Sequence, residues 1–354
     1  MGSPAAIRFR DAIVAGRARN ASDVHLGADT PPVLRIDGAL ERMPEPPLTA
    51  GDLREIAAAL LADTEMSRLA TQGDLTTAWT ESELGTMRAH IYVGERGLTI
   101  AVRLLDRKIP SLESLRLPEA IGSLPQRERG MVILAGPTGS GKSTTMAAIV
   151  DRINADSARR IVTIEDPIEY HHASRRSIVT QREIGRDTPD LQAALRGVLR
   201  ADPDVIVVGE MRDAESMAGA LTAAETGHLV LTTLHTGDAS QTVERIVDAF
   251  SGVLQSQIRA QLAQVLVAVA CQHLVRRARG TGRCAAVELL FGTDAVRNMI
   301  RDSKAHQLKN AMATGRRFGM QTLEQHVAEL LRDREIDADE ARRLGVGDGC
   351  RTVA

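Results

Sequence analysis

Aromatic side chains are nearly missing from this 354-residue chain: four Phe, two Tyr and one Trp amount to 2% of it. So few rings leave little on which nucleic-acid bases could stack. Cysteine is scarce as well. Cys271, Cys284 and Cys350 are odd in number and include no CxxC pair. That pattern argues against a disulfide framework and against a four-thiolate zinc site, and leaves small buried or incidental thiols as the expectation. Charge of one sign is not in excess either. Lys plus Arg number 44 against 46 Asp plus Glu, a net charge of −2. The chain as a whole therefore has no electrostatic footprint for nucleic acid or for an anionic membrane. Its longest apolar run, "VLVAVAC" at 265–271, falls far short of the about 20 residues that a membrane-spanning helix requires. Charges interrupt each apolar run of "MGSPAAIRFRDAIVAGRARN", so no signal peptide is expected. There is no internal repeat and no low-complexity tract. The expectation is a soluble cytoplasmic protein with no integral membrane segment and no nucleic-acid partner.

What is present is enough for two domains. A hydrophobic content of 43% with 25% charged residues is that of an ordinary globular chain, and the length allows at least one large core. Residues 5–19 read as a short helix, "SDVHL" and "PVLRIDGAL" as strands, and 51–71 as a helix with Leu53, Ile56, Leu60 and Leu61 at helical spacing. From Leu75 to Leu105 the pattern becomes strand-like. The two prolines of "DRKIPSLESLRLPEA" mark a linker. Beyond it the apolar runs "MVILA", "RIVTI", "DVIVV" and "HLVLTTL" alternate with helical patterns near 142–154, 188–200, 213–224, 238–248 and 253–269. Continuous apolar strands between helices predict a mainly parallel sheet buried on both faces, an α/β fold. The last 60 or so residues read as a helical tail.

The stretch "TMRAHIYVGERGLTIAVRLL" predicts a hairpin turning at Glu95-Arg96 between Gly94 and Gly97. That register pairs Val93 with Leu98, Ile91 with Ile100, Ala89 with Val102 and Met87 with Leu104, all apolar and on one face. The other face pairs Tyr92 with Thr99, His90 with Ala101 and Arg88 with Arg103. Two arginines directly opposite each other destabilise a ladder. Either the face is solvated and each arginine has a partner elsewhere, or both point at one anion such as a nucleotide phosphate.

"GPTGSGKSTT" fits G-x-x-x-x-G-K-[ST] between a strand and a helix. Gly136, Pro137, Thr138, Gly139, Ser140, Gly141, Lys142, Ser143 and Thr144 form the expected phosphate cradle. Its glycines let backbone N–H groups approach phosphate oxygens at a helix N-terminus. Lys142 would reach the β- and γ-phosphates and Ser143 would bind Mg²⁺, so ATP and Mg²⁺ are the expected ligands. "DPDVIVVGEMRD" ends a buried strand in Glu210, a carboxylate that can orient water or Mg²⁺ beside such a loop. Glu165, Asp166 and Glu169 follow "IVTI"; three acids near a phosphate site read as metal or water handling. His228 opens the strand "HLVLTTL" and His235 follows its end. Taken singly, each is as readily a structural histidine.

The combination resembles the secretion ATPases that power type IV pili and type II secretion, and within them the pilus-retraction ATPases. The resemblance rests on "ASDVHL…PPVLRIDG", "GPTGSGKSTT", "TIEDPIEY", "GEMRDAES", "LTAAETGHLVLTTLHT", "QIRAQLAQVL" and "AVRNMIRDSKAHQL", nearly the whole chain. It implies a PAS-like domain at 1–106, a linker at 107–118, a RecA-like ATPase core at 119–290 and a helical C-terminal subdomain at 291–354. It also implies a homohexamer at the cytoplasmic face of the inner membrane, working on the pilus platform protein. By this resemblance Glu165 lies in the family's acidic box, Glu210 is its Walker B glutamate, and His228 and His235 form its histidine box. Arg88 and Arg103 match arginines that reach the γ-phosphate. Glu165, Glu210 and Ser143 are the expected metal-side groups, and the catalytic set is Lys142, Glu165, Glu210, Arg88, Arg103, His228 and His235.

Retraction is the implied direction of work. The chain begins directly with the "ASDVHL" domain, lacks a tetracysteine motif, carries "GEMRD" where extension and secretion motors usually have "GEIRD", and includes "AVRNMIRD" at Ala295–Asp302. Three features depart from the pattern: "LHTGDAS", closer to the extension motors; Thr86 in place of a common basic residue; and the apolar "VLVAVACQHL". A RecA-like nucleic-acid motor, the rival class, would need a basic or aromatic channel, and the charge balance and scarce rings argue against one.

Overall fold

A computed structural model describes residues 3–81, 83–105, 108–279 and 282–346. They divide into two compact units, Met1–Lys108 and Ile109–Ala354. The junction expected at 106/107 and Cys350 lie outside the described residues.

The first unit opens with α1 (Pro4–Ala18), started by Ser3, whose Oγ accepts from Ala6 N at 3.2 Å, and by a proline in the first turn. Then come β1 (Asp23–Leu26), β2 (Val33–Ile36), β3 (Ala39–Arg42), α2 (Ala50–Leu60), α3 (Asp63–Gln72), β4 (Asp74–Glu81), β5 (Gly85–Gly94) and β6 (Gly97–Leu104). The strands form one antiparallel sheet in the order β3-β2-β1-β6-β5-β4. One face buries Leu34, Met87, Ile91 and Ile100 with Ile13, Leu53 and Ile56 from the helices. The predicted hairpin register holds from Met87↔Leu104 to Val93↔Leu98. Val93, at the tip, is nonetheless 57% exposed, so the apolar row runs past the core.

Two expectations need correction here. "PVLRIDGAL" is not one strand but β2 and β3, joined at Asp37-Gly38, where φ is 47° and 85°, the paired left-handed residues of a two-residue hairpin turn. The helix expected at 51–71 is two, because Leu61 and Ala62 are extended and Glu65 takes the Ala62 N–H at 2.9 Å to start a new helix.

The second unit begins with a 3₁₀ segment (Glu119–Gln126) and continues with β7 (Gly130–Ala135), α4 (Lys142–Asp156), β8 (Arg160–Glu165), β9 (Ile178–Glu183), α5 (Leu191–Val198), β10 (Val205–Val208), α6 (Ala214–Glu225) and β11 (Leu229–Leu234). After these come α7 (Ala239–Asp248), α8 (Gly252–Val265), β12 (Leu266–Arg276), β13 (Arg283–Phe291), α9 (Asp294–Arg301), α10 (Leu308–Thr314), α11 (Leu323–Arg332) and α12 (Ala338–Arg343). The sheet runs β13-β12-β7-β11-β10-β8-β9, parallel except for β13. Every residue of β7, β10 and β11 is buried, as strands covered by helices on both faces require. This is the expected α/β class: an antiparallel unit, then a mainly parallel sheet, then a helical C-terminal end.

The helix expected at 253–269 stops at Val265, and the apolar run beyond it is β12. Val and Ala in an unbroken apolar run fit a strand wedged between β7 and β13, where tertiary burial outweighs local helical spacing.

Candidate functional site

Parallel register brings the site together. Ala135 pairs with Leu234, Val208 with Thr232, and Val208 with Ile164. The loops after β7, β8, β10 and β11 therefore emerge at one edge, where ligands bind in open α/β sheets.

The loop after β7 needs its glycines. Gly136 has φ +137°, and a Cβ there would lie 2.3 Å from the Gln272 carbonyl oxygen and 2.7 Å from Ser140 Oγ. Gly139 and Gly141 are left-handed, at +76° and +89°. Gly141 is the N-cap of α4, and no side chain caps the helix, so its first N–H groups are available to an anion. Ser143 is exposed at this end, Thr144 Oγ1 lies 2.8 Å from Tyr170 Oη, and Ser140 Oγ is buried without a partner. Pro137 closes the turn by accepting from Ser140 N at 3.2 Å, and Thr138 lies exposed between them.

Lys142 is 7% exposed. Its Nζ donates to the carbonyls of Gly136 (2.8 Å) and Pro137 (2.9 Å) and lies 3.5 Å from His235 Nδ1. Burial pushes its pKa down, opposed by the charges of Glu210 and Glu169. His235 Nε2 is 3.2 Å from Glu210 Oε1, and Glu210 Oε2 accepts from Arg212 Nε at 3.0 Å. Arg212 Nη1 then reaches Asp166 Oδ2 at 3.2 Å. A neutral imidazole with its proton on Nε2 satisfies both neighbours, accepting from Lys142 and donating to Glu210. At the end of β8, Glu165 Oε1 accepts from Thr163 Oγ1 (2.6 Å) and Gln181 Nε2 (3.2 Å). Burial nevertheless raises its carboxyl above the usual range.

His228 is not part of this cluster. It sits at the opposite end of β11, its carbonyl accepting from Gly130 N at 3.0 Å and its Nδ1 2.8 Å from the Ala223 carbonyl. The six residues of β11 put about 20 Å of strand between the two histidines. Within one chain a fully extended strand therefore separates the two histidines.

Arg88 and Arg103 lie opposite each other on β5 and β6 of the first unit. On the other side of β6, β1 places Asp23 opposite Arg103, and Arg103 Nε donates to Asp23 Oδ1 at 3.0 Å. A carboxylate thus offsets the like-charge pair.

Three participants were not singled out from the sequence. Gln272 on β12 is 1% exposed, presses its carbonyl on Gly136 and donates from Nε2 to Thr145 Oγ1 at 3.0 Å. Its signal was a lone amide inside an apolar run. Arg212 bridges Glu210 and Asp166, and Tyr170 meets Thr144; both lie inside the quoted stretches "GEMRDAES" and "TIEDPIEY" without being singled out there.

The residues present fit a Mg-nucleoside triphosphate. The glycine cradle, the uncapped helix and the orphaned Ser140 hydroxyl suit phosphates. Ser143, Glu165 and Glu210 offer the hard oxygen ligands that Mg²⁺ takes. Among the described residues no three His, Cys, Asp or Glu form a metal-holding group. Mg²⁺ held chiefly by phosphates and water needs only one or two protein oxygens. No helix of the described residues is long and apolar enough to cross a membrane.

The profile of the family described as Type II/IV secretion system protein matches residues 6–344. The chain is 40% identical over 324 residues to the Type IV pilus retractation ATPase PilT of Pseudomonas aeruginosa, covering 92% of this chain and 94% of that protein. It is 39% identical over 312 residues to a Twitching motility protein of Neisseria gonorrhoeae, covering 88% and 83%. The crystal structure of the pilus retraction motor PilT with bound ADP matches with a TM-score of 0.85 at 39% identity, over 95% of this chain and 96% of that one.

Proposed function

The chain belongs to the type II/IV secretion system protein family, and from that membership we propose that it is an ATP hydrolase whose turnover drives type IV pilus retraction. The observation that carries the reading is the convergence of Lys142, His235 and Glu210 beside a loop whose glycines leave room for a triphosphate.

In this reading the backbone N–H groups of the loop and of the first turn of α4 hold the phosphates. Lys142 leaves the Gly136 and Pro137 carbonyls for the β- and γ-phosphates. Glu210, helped by Glu165, orients or deprotonates the attacking water, whose oxygen bonds to Pγ as the bond to the β,γ-bridging oxygen breaks. His235 bridges Lys142 and Glu210 and so couples phosphate occupancy to the glutamate's position. Ser143, with Glu210 and Glu165, would hold Mg²⁺, which supplies positive charge to the phosphate oxygens. Arg88 and Arg103 stabilise charge developing on the γ-phosphoryl group. Within the chain His228 lies at the far end of β11 from these groups.

The working unit is a homohexamer at the cytoplasmic face of the inner membrane, acting on the pilus platform protein. Residues 1–106 serve as a PAS-like domain, 119–290 as a RecA-like core and 291–354 as a helical subdomain. The family and the parallel-sheet edge support this reading.

Lys142→Ala should lose ATP turnover, and normal turnover would sink the proposal. Glu210→Gln should bind ATP but hydrolyse it on the order of a hundred-fold more slowly in single-turnover assays. Deleting the gene should leave cells with excess surface pili and no twitching. Bald cells would instead assign the chain to pilus extension or type II secretion.

A further inference from the structure

Asp23 is among the few buried charged residues of the first unit, 9% exposed. It stands in a row across the polar face of the antiparallel sheet: Arg35 faces it from β2, Arg103 from β6, and Arg88 lies one strand further. Of the two arginines facing it, Asp23 makes its ion pair with Arg103, through Nε at 3.0 Å. Holding an arginine at Nε differs from gripping its two-pronged end. The Nε bond fixes the plane and direction of the guanidinium while both Nη groups, four of the five donors, stay available to a second anion. The Arg103 side chain is half exposed, as a group awaiting such an anion must be. The negative charge of Asp23 also offsets the repulsion between Arg103 and Arg88, which would otherwise drive the two side chains apart.

We infer that Asp23 is a positioning residue for the γ-phosphate arginine: it orients Arg103 through Nε and keeps Arg103 and Arg88 close enough to act on one phosphoryl group. This rests on the role proposed above for Arg103. Asp23 itself touches no substrate. Its effect is carried by one charge-assisted hydrogen bond and belongs to the transition state, where Arg103 meets developing charge. The rate constant should therefore fall while ATP affinity holds.

The test is steady-state ATPase kinetics of the full chain with Asp23→Asn, Asp23→Ala, Arg103→Ala and the double variant Asp23→Asn/Arg103→Ala. Asp23→Asn keeps the shape and an acceptor oxygen, so it guards against a folding artefact, and circular dichroism melts check each variant. Asp23→Ala should lower kcat on the order of ten-fold, as loss of one charge-assisted hydrogen bond implies. KM for ATP should stay within about three-fold, and Asp23→Asn should fall between wild type and Ala. In the Arg103→Ala background, Asp23→Asn should slow turnover by less than about two-fold further, because the residue it acts through is gone. Full kcat in the Asp23 variants beside a slow Arg103→Ala would overturn this inference and leave the arginine's role standing. So would losses that multiply in the double variant. Wild-type turnover by Arg103→Ala would overturn the arginine's role, and this inference with it.

Discussion

Gln181 joins the Glu165 carboxylate to the backbone of His172: its Nε2 donates to Glu165 Oε1 at 3.2 Å and its Oε1 accepts from the His172 backbone N–H at 2.8 Å. Burial lowers the His172 pKa from 6.5 to about 4, so the folded chain keeps this imidazole neutral where the unfolded chain protonates it. Between those two values the unfolded state binds the extra proton. Stability from this group is present above about pH 6.5 and is lost as pH falls toward 4. Allowing for partial exposure, the loss from pH 7 to pH 5 is about 1–2 kcal/mol. Denaturant titrations at the two pH values should show a smaller drop for His172→Leu than for wild type, and equal drops would reject the assignment. At this scale the sequence was legible where chemistry is local. Gly136, Gly141, Lys142 and Ser143 could be assigned from spacing because a phosphate loop closes within nine residues or so. Gln181, Arg212 and Gln272 could not, because each has a partner in a distant part of the chain: Glu165, Asp166 and Thr145.

Arg297, in the "AVRNMIRD" stretch, shows what a motif can do for an element. Its guanidinium donates to the carbonyls of Gly292 (2.8 Å), Ala263 (2.8 Å), Leu266 (3.0 Å) and Gln264. Those oxygens belong to the last turn of α8, the start of β12 and the residue just past β13, so one planar fork satisfies acceptors that a helix end leaves unpaired. Arg297→Ala should destabilise the second unit by about 3 kcal/mol in denaturant unfolding. Arg297→Lys should recover little, since a point charge cannot span the set. A loss under about 0.5 kcal/mol, the range of an ordinary surface change, would show that the carbonyls find other donors. The same junction is where sequence reading failed. Helical spacing continued through 269, yet the chain turns to strand at Leu266 because the run is buried between two neighbours it does not meet in sequence. The Asp37-Gly38 turn was missed for the opposite reason: its signal is local but occupies two residues inside an apolar stretch. The β5–β6 hairpin was legible throughout, since one tight turn sets every pair that follows it.

For the molecule as a whole, a ligand that binds only the folded second unit must stabilise it by mass action. Mg-ATP at a hundred times its dissociation constant should add about 2.7 kcal/mol. A rise in the melting midpoint should therefore be seen with the slow Glu210→Gln variant. Lys142→Ala should show no such rise, and an equal rise in both would remove Lys142 from the phosphate site. The linear sequence by itself determined the α/β class, the phosphate loop, the hairpin register and the strands that carry the acids, because each depends on periodicity or on contacts a few residues apart. Only the tertiary structure decided which of these meet. His228 and His235 are close in sequence but lie at opposite ends of a fully extended β11, whereas Lys142 and His235, 93 positions apart, are neighbours. The physical reason is that backbone hydrogen bonds between β7, β8, β10 and β11 set which strand ends share an edge, and that pairing is a property of the assembled sheet.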